Sequence, residues 1–276
     1  MNNLPDILQR ILARKAEEIQ EQQLSLRDLG NKIDSAPPIR NFAAALRKKI
    51  TSGNTAVIAE IKRASPSKGI IREDFDPAAI AINYEQFGAT CISVLTDRDF
   101  FHGADEHLIQ ARNACSLPIL RKDFIIDPYQ IYVARILGAD AILLIGAALG
   151  DPLLQELANL ASELNMDVLI EIHSIMELRR ILELNLISQP IIGINNRDLR
   201  TFQVNLQTTL DVLPLIPAHF LVVTESGIST PNDVITLRRA GVSIFLVGEV
   251  LMRVANPGER LAELFSAQYK IQELIS

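Results

Sequence analysis

Apolar residues gather in short β-rich runs at 57–61, 91–95, 118–121, 141–145, 168–172, 191–194, 220–224 and 244–247, spaced roughly 23 to 35 residues apart. That interval is about one strand–helix unit, and most of the runs are followed by a helical stretch. The punctuation repeats as well. Asp76-Pro77, Asp127-Pro128 and Asp151-Pro152 each set a capping acid before a proline at the first helical position. Thr230-Pro231 does so with a hydroxyl, and Ser174-Ile-Met-Glu177 has the form of a capping box. Gly88, Gly138 and Gly241 each stand just past a helix and just before a strand. The strands are apolar nearly throughout, which suits a parallel sheet covered by helices. Eight such units over about 220 residues predict an α/β fold, a closed (β/α)8 TIM barrel occupying 55–265. No strand leads into a G-x-G-x-x-G turn, so a doubly wound open sheet is the weaker alternative.

Ahead of the barrel, residues 4–23 carry Ile7, Leu8, Ile11, Leu12 and Ile19 at helical spacing, which predicts an amphipathic first helix. Asp34-Ser-Ala-Pro-Pro38 interrupts the pattern, and Phe42 with Leu46 suggests another short helix. Residues 1–50 therefore read as an N-terminal helical extension packed on the barrel, and 1–276 as a single domain.

Composition narrows the partners. The chain is 48% apolar, enough for a sizeable core, and carries a net charge of −6 without a basic run. Nucleic acid and anionic membranes are thereby excluded as main partners, whereas a small anionic ligand is allowed. Cys91 and Cys115 lack CxxC spacing and read as free thiols in a reducing cytosol. The N-terminus lacks the pattern of a signal peptide, and the longest apolar stretch, 141–150, is too short to span a bilayer. A cytoplasmic location is expected.

Chemistry in such a barrel belongs at the carboxyl ends of the strands. Those ends read Glu60 and Lys62, Thr96 and Asp97, Lys122, Leu143 and Ile145, Glu171 and His173, Asn195 and Arg197, Glu225-Ser-Gly227, and Gly248-Glu249. Alternation puts Glu60 and Lys62 on one face of the first strand. One charge at a strand end is usually structural. Two lysines and two glutamates at one mouth point to catalysis, because an unpaired buried charge costs several kcal/mol. The seventh and eighth ends offer glycines, a hydroxyl and little charge, which suits phosphate held by backbone N–H groups. His173 stands two residues from Glu171, but no third ligand of matching spacing appears, so no metal is expected and the histidine reads as structural.

Taken together, Glu60-Ile-Lys-Arg-Ala-Ser-Pro-Ser67, Ser93-Val-Leu-Thr96, Phe101-His-Gly103, Leu120-Arg-Lys-Asp-Phe124, Leu169-Ile-Glu171, Gly193-Ile-Asn-Asn-Arg-Asp-Leu199, Thr224-Glu-Ser-Gly-Ile228 and Leu251-Met-Arg253 resemble the indole-3-glycerol phosphate synthase family. The resemblance implies a cofactor-free lyase of tryptophan biosynthesis. Such an enzyme closes 1-(2-carboxyphenylamino)-1-deoxyribulose 5-phosphate to indole-3-glycerol phosphate with loss of CO2 and water. By the same resemblance Lys122 is the general acid for closure. To act well a lysine must be shifted toward neutrality by desolvation or a neighbouring cation, a shift that Lys122 and Lys62 in one mouth are expected to give each other. Lys62 pairs with the substrate carboxylate or shares the acid role, and Glu171 is the acid–base group for dehydration. Glu60 orients a lysine and the anilino nitrogen, and Asn195 binds a ribulose hydroxyl. Ser65 lies near the substrate carboxylate. Phe101, Phe124, Leu143 and Leu199 form the slot for the aromatic ring, and Arg197 belongs to the substrate-binding set. Ser226, Gly227, Gly248 and the Glu249 backbone hold phosphate. The expected partner is this small phosphorylated substrate, with the enzyme a monomer open to association with other enzymes of the pathway.

The chain departs from the family pattern at Val250, where a small hydroxyl residue is often found, at His102, where a polar amide is common, and at Asn196, where serine is frequent. None of these removes a catalytic group. A Schiff-base lyase using Lys122 as nucleophile, another barrel of the same pathway such as phosphoribosylanthranilate isomerase, and a catalytically silent phosphate-binding paralogue are the competing readings. The loop 63–72, rich in Ser, Gly and Lys, is expected to close over bound substrate.

Overall fold

The computed structural model describes residues 4–21 and 26–266. Eight parallel strands close into a barrel: β1 Ala56–Ile61, β2 Cys91–Leu95, β3 Ile119–Lys122, β4 Ala141–Ile145, β5 Asp167–Ile172, β6 Ile191–Asn195, β7 Val222–Glu225 and β8 Ile244–Val247. Each strand pairs with its neighbours in sequence, and the ring closes where Ala56 of β1 meets Ile244 of β8. Between the strands, the helices Pro77–Gln86, Asp105–Ala114, Pro128–Leu137, Asp151–Glu163, Ile175–Leu182, Gln207–Val212, Pro231–Arg239 and Pro257–Phe265 form the outer ring.

Local chemistry explains most of the boundaries. Asp76 accepts from Ala78 N–H and Ala79 N–H, while Asp127 and Thr230 complete capping boxes with Gln130 and Asp233. Asp151 behaves otherwise. Gly150 is the cap, so Asp151 enters the first turn and pairs with Arg180 at 2.8 Å. Ser174 makes half of its expected box: its hydroxyl oxygen accepts from Glu177 N–H, but the Glu177 carboxylate accepts from His173 N–H and the Ser174 hydroxyl rather than from Ser174 N–H. The seventh strand begins at Val222 and not at residue 220, since Phe220 N–H is turned back to Pro217 O at 3.0 Å.

Two-residue periodicity along each strand divides the molecule into two cores. Outward side chains pack under the helices, and inward ones such as Ile58, Leu120, Leu143, Leu169, Val223 and Leu246 fill the barrel. The leader forms three helices, α1 Asp6–Glu21, α2 Leu26–Ile33 and α3 Phe42–Thr51. Helix α3 stoppers the barrel floor by adding Phe42 and Leu46 to the interior cluster, and Asp167 of β5 caps it by accepting from Ala43 N–H at 2.8 Å. Helix α2 was not anticipated. Among the described residues no helix is long and apolar enough to cross a membrane.

Candidate active site

The inward rows change character on the way up the barrel. Ile58 is followed by Glu60, Leu120 by Lys122, Leu169 by Glu171 and Val223 by Glu225, so the parity that fills the core also aims charge into the mouth. These charges line one cavity of about 750 Å³. All fifteen residues expected from the sequence line it: Glu60, Lys62, Ser65, Phe101, Lys122, Phe124, Leu143, Glu171, Asn195, Arg197, Leu199, Ser226, Gly227, Gly248 and Glu249.

Lys122 sits at the centre. Its Nζ lies 3.4 Å from Glu225, 3.5 Å from Glu171 and 3.9 Å from Glu60, while Lys62 Nζ holds the other oxygen of Glu60 at 2.6 Å. Two glycines make room for this crowd. A Cβ at Gly193 would collide with the Glu225 carboxylate, and one at Gly248 with that of Glu60.

The electrostatics differ in sign from the sequence expectation. Lys62 does not bring Lys122 toward neutrality: burial disfavours the ammonium, but Glu225, Glu171 and Glu60 outweigh it and raise Lys122 well above its ordinary range. Burial also works against the Glu60 and Glu171 carboxylates. Lys62 and Lys122 nevertheless hold Glu60 low, and Lys122, His173 and a hydrogen bond from Asn195 hold Glu171 low. Glu225 is the exception. Burial, reinforced by the repulsion of Glu171 and Glu60, pushes it up to about 8 despite the pull of Lys122. Of the three carboxyls crowded around Lys122, Glu225 is the one whose protonated form the site favours.

His173 lies 3.5 Å from Glu171 and 3.6 Å from Glu177, bridging the two carboxylates. Among the described residues no trio of His, Cys, Asp or Glu is placed to hold a metal ion.

The cavity is polar at one end and apolar at the other. At the polar end Ser226 and Gly227 have φ of 65° and 82°, a left-handed turn that Asn196 locks by donating to Glu225 O at 3.0 Å and to Ser226 O at 3.1 Å. The departure at Asn196 thus has a structural use. The Glu249 carboxylate is drawn aside by Arg253 at 2.8 Å and Arg197 at 3.4 Å. At the apolar end the rings of Phe101 and Phe124 lie 5.9 Å apart beside Leu143, and Ile7, Leu8 and Ile11 of α1 complete the wall. Residues 64–65 and 69–70 pair as a small antiparallel hairpin that brings Ser65, Pro66, Ser67 and Lys68 to the rim.

Solved structures with this fold include tryptophan synthase subunit alpha from Legionella pneumophila str. Paris, at 12% identity and a TM-score of 0.61, covering 84% of this chain and 100% of that one. Another is 3-hexulose-6-phosphate synthase from Salmonella typhimurium, at 11% identity and a TM-score of 0.59, covering 78% of this chain and 99% of that one. KGPDC from Streptococcus mutans, at 12% identity and a TM-score of 0.57, covers 79% of this chain and 98% of that one. At such identities the likeness concerns the fold alone. The family model for indole-3-glycerol phosphate synthase, by contrast, matches residues 8–264. The chain belongs to the indole-3-glycerol phosphate synthase family. It is a carboxy-lyase of tryptophan biosynthesis that closes 1-(2-carboxyphenylamino)-1-deoxyribulose 5-phosphate to indole-3-glycerol phosphate with loss of CO2 and water.

Sequence reasoning named fifteen of the residues that line this mouth. Glu225 was missed as a chemical group because its Ser-Gly neighbours made it read as part of a turn; its parity with Val223 was the available signal. The lining by Ile7, Leu8 and Ile11 had no local signature, since their spacing shows an apolar face but not what covers it. Thr96 and Asp97 do not line this cavity, although they also stand at a strand end.

Proposed function

We propose that Lys122, held as an ammonium, protonates the ribulose carbonyl as the carboxyl-bearing ring carbon attacks it. The observation that supports this is the convergence of Glu60, Glu171 and Glu225 on Lys122 Nζ within 3.9 Å. In this step the ring carbon's electron pair forms the new C–C bond, and the carbonyl π pair goes to oxygen, which takes a lysine proton. CO2 then leaves its bonding pair behind to restore the aromatic ring. Glu225, carrying a proton 3.4 Å from Lys122, reprotonates it. In dehydration the reprotonated Lys122 supplies the proton with which the hydroxyl departs as water, and ionised Glu171 accepts one from the carbon beside the nitrogen and returns it to Lys122, 3.5 Å away.

Lys62, steadied by Glu60, pairs with the substrate carboxylate beside Ser65, and Asn195 and Arg197 orient the ribulose chain. The turn at Ser226 and Gly227 with the backbone at Gly248 and Glu249 takes the phosphate. Phe101, Phe124, Leu143 and Leu199 take the ring. Holding both ends of a flexible substrate bent together is itself worth several kcal/mol of barrier. We further propose closure of the hairpin segment 63–72 over bound substrate, an N-terminal extension and barrel that fold as one domain, and a cytosolic monomer.

Indole fluorescence on mixing enzyme with substrate tests the role of Lys122 directly. Lys122→Ala should abolish turnover while retaining affinity for inorganic phosphate; near-normal turnover would refute the assignment. A Schiff-base role requires a free amine, which ionised Glu171 and Glu60 disfavour, so borohydride should trap no substrate on Lys122.

A further inference from the structure

Lys15 shares a face of α1 with Leu8 and Ile11, yet it is only 4% exposed. An ammonium is buried on a helix face only where partners compensate its lost hydration. The partners are Glu18 at 2.8 Å, Asp123 at 3.0 Å and Asp97 at 3.1 Å. Burial works against the charge, but Asp123 and Asp97 outweigh it, so Lys15 stays an ammonium. It does not line the catalytic cavity. It borders a separate one of about 290 Å³, together with Thr96, Arg121 and Asp123.

The two aspartates belong to different strand-end loops, and each fixes one aromatic ring. Asp97 accepts from Phe100 N–H at 2.9 Å and, through its carbonyl, from Gly103 N–H at 2.7 Å, closing the turn that presents Phe101. Asp123 accepts from Phe124 N–H at 2.8 Å, from the Thr96 hydroxyl at 2.5 Å and from Arg121 at 3.4 Å. Lys15 is the cation common to both carboxylates, and it is carried by the helix that supplies the third wall of the same slot. We propose that Lys15 is a positioning residue that sets the gap between Phe101 and Phe124, and hence the fit of the substrate's aromatic ring. This rests on the reading of those two phenylalanines as the ring slot.

Calorimetric titration with two ligands tests it: indole-3-glycerol phosphate, which has ring and phosphate, and glycerol 3-phosphate, which has only the phosphate. Lys15→Met should weaken the first about tenfold and leave the second within about twofold, with KM rising more than kcat falls. Asp97→Asn, which keeps an acceptor for Phe100 N–H, should move the same way by about threefold, and it stands in if Lys15→Met fails to fold. Glu18→Gln, which removes the partner that belongs to neither loop, should change neither affinity. Phe124→Ala, measured alongside, must weaken the ring-bearing ligand; if it does not, the slot reading falls and this proposal with it. If Phe124→Ala weakens it while the Lys15 and Asp97 variants lose both ligands equally or neither, the positioning role alone is overturned.

Discussion

At the floor of the barrel Asp140 is fully buried, and its oxygens are taken by Arg40 N–H, Ile119 N–H and the Arg112 guanidinium, each at 2.8 Å. At the mouth Glu225 is almost equally buried, but it shares Lys122 with two other carboxylates and leaves Oε1 without a partner. At the floor both Asp140 oxygens are paired. The mouth sets three acids against two lysines and resolves the conflict by keeping a proton. A saturated buried carboxylate stabilises the fold; an undersatisfied one stores a proton that chemistry can use.

The sharpest way to break this contrast is to remove the central cation of the mouth. Lys122→Ala should lower kcat/KM by about three to four orders of magnitude, in line with loss of a general acid, and any stability lost with the buried carboxylates' shared cation is read separately. Glu171→Gln should follow at about two to three orders. Fluorescence-monitored turnover beside circular dichroism separates the two effects.

At the floor the prediction inverts. Asp140→Ala leaves Arg112 without its carboxylate and should cost about 3–5 kcal/mol in a urea titration, while kcat of the folded fraction stays within about twofold. A catalytic loss as large as that of Glu171→Gln would erase the distinction between the two ends.

Glu225→Gln sharpens it further. The folded-state value of about 8 lies above the ordinary 4.5, so the folded chain holds more proton than the unfolded one between those limits. Stability from this group is full below pH 4.5 and is lost as pH rises toward about 8. The variant should lose that downward slope and be the more stable protein at the alkaline end, at a cost of about tenfold in rate through the lost relay. The smallest effect expected is that of Asp167→Ala, which uncaps α3 and should cost about 1 kcal/mol without altering kcat.

The sequence made the barrel plain because buried parallel strands are apolar throughout, and the Asp-Pro and Thr-Pro dipeptides mark where helices start. It made the mouth plain only where charge interrupts an apolar run, as at Glu60, Lys122 and Glu171. Glu225 was hidden among turn residues. Lys15 was hidden more deeply, since a lysine on an amphipathic helix reads as a solvated charge until the loops it meets are known. The raised pKa of Lys122 was illegible for a related reason: its sign depends on acids from three other strands, whose convergence follows from barrel closure and not from spacing.

Infrared difference spectroscopy of the free enzyme tests the central claim most directly. A protonated-carboxyl stretching band should be present at pH 7, disappear with a midpoint near 8, and be missing from Glu225→Gln. Absence of such a band at pH 7, or its survival in Glu225→Gln, would contradict the account.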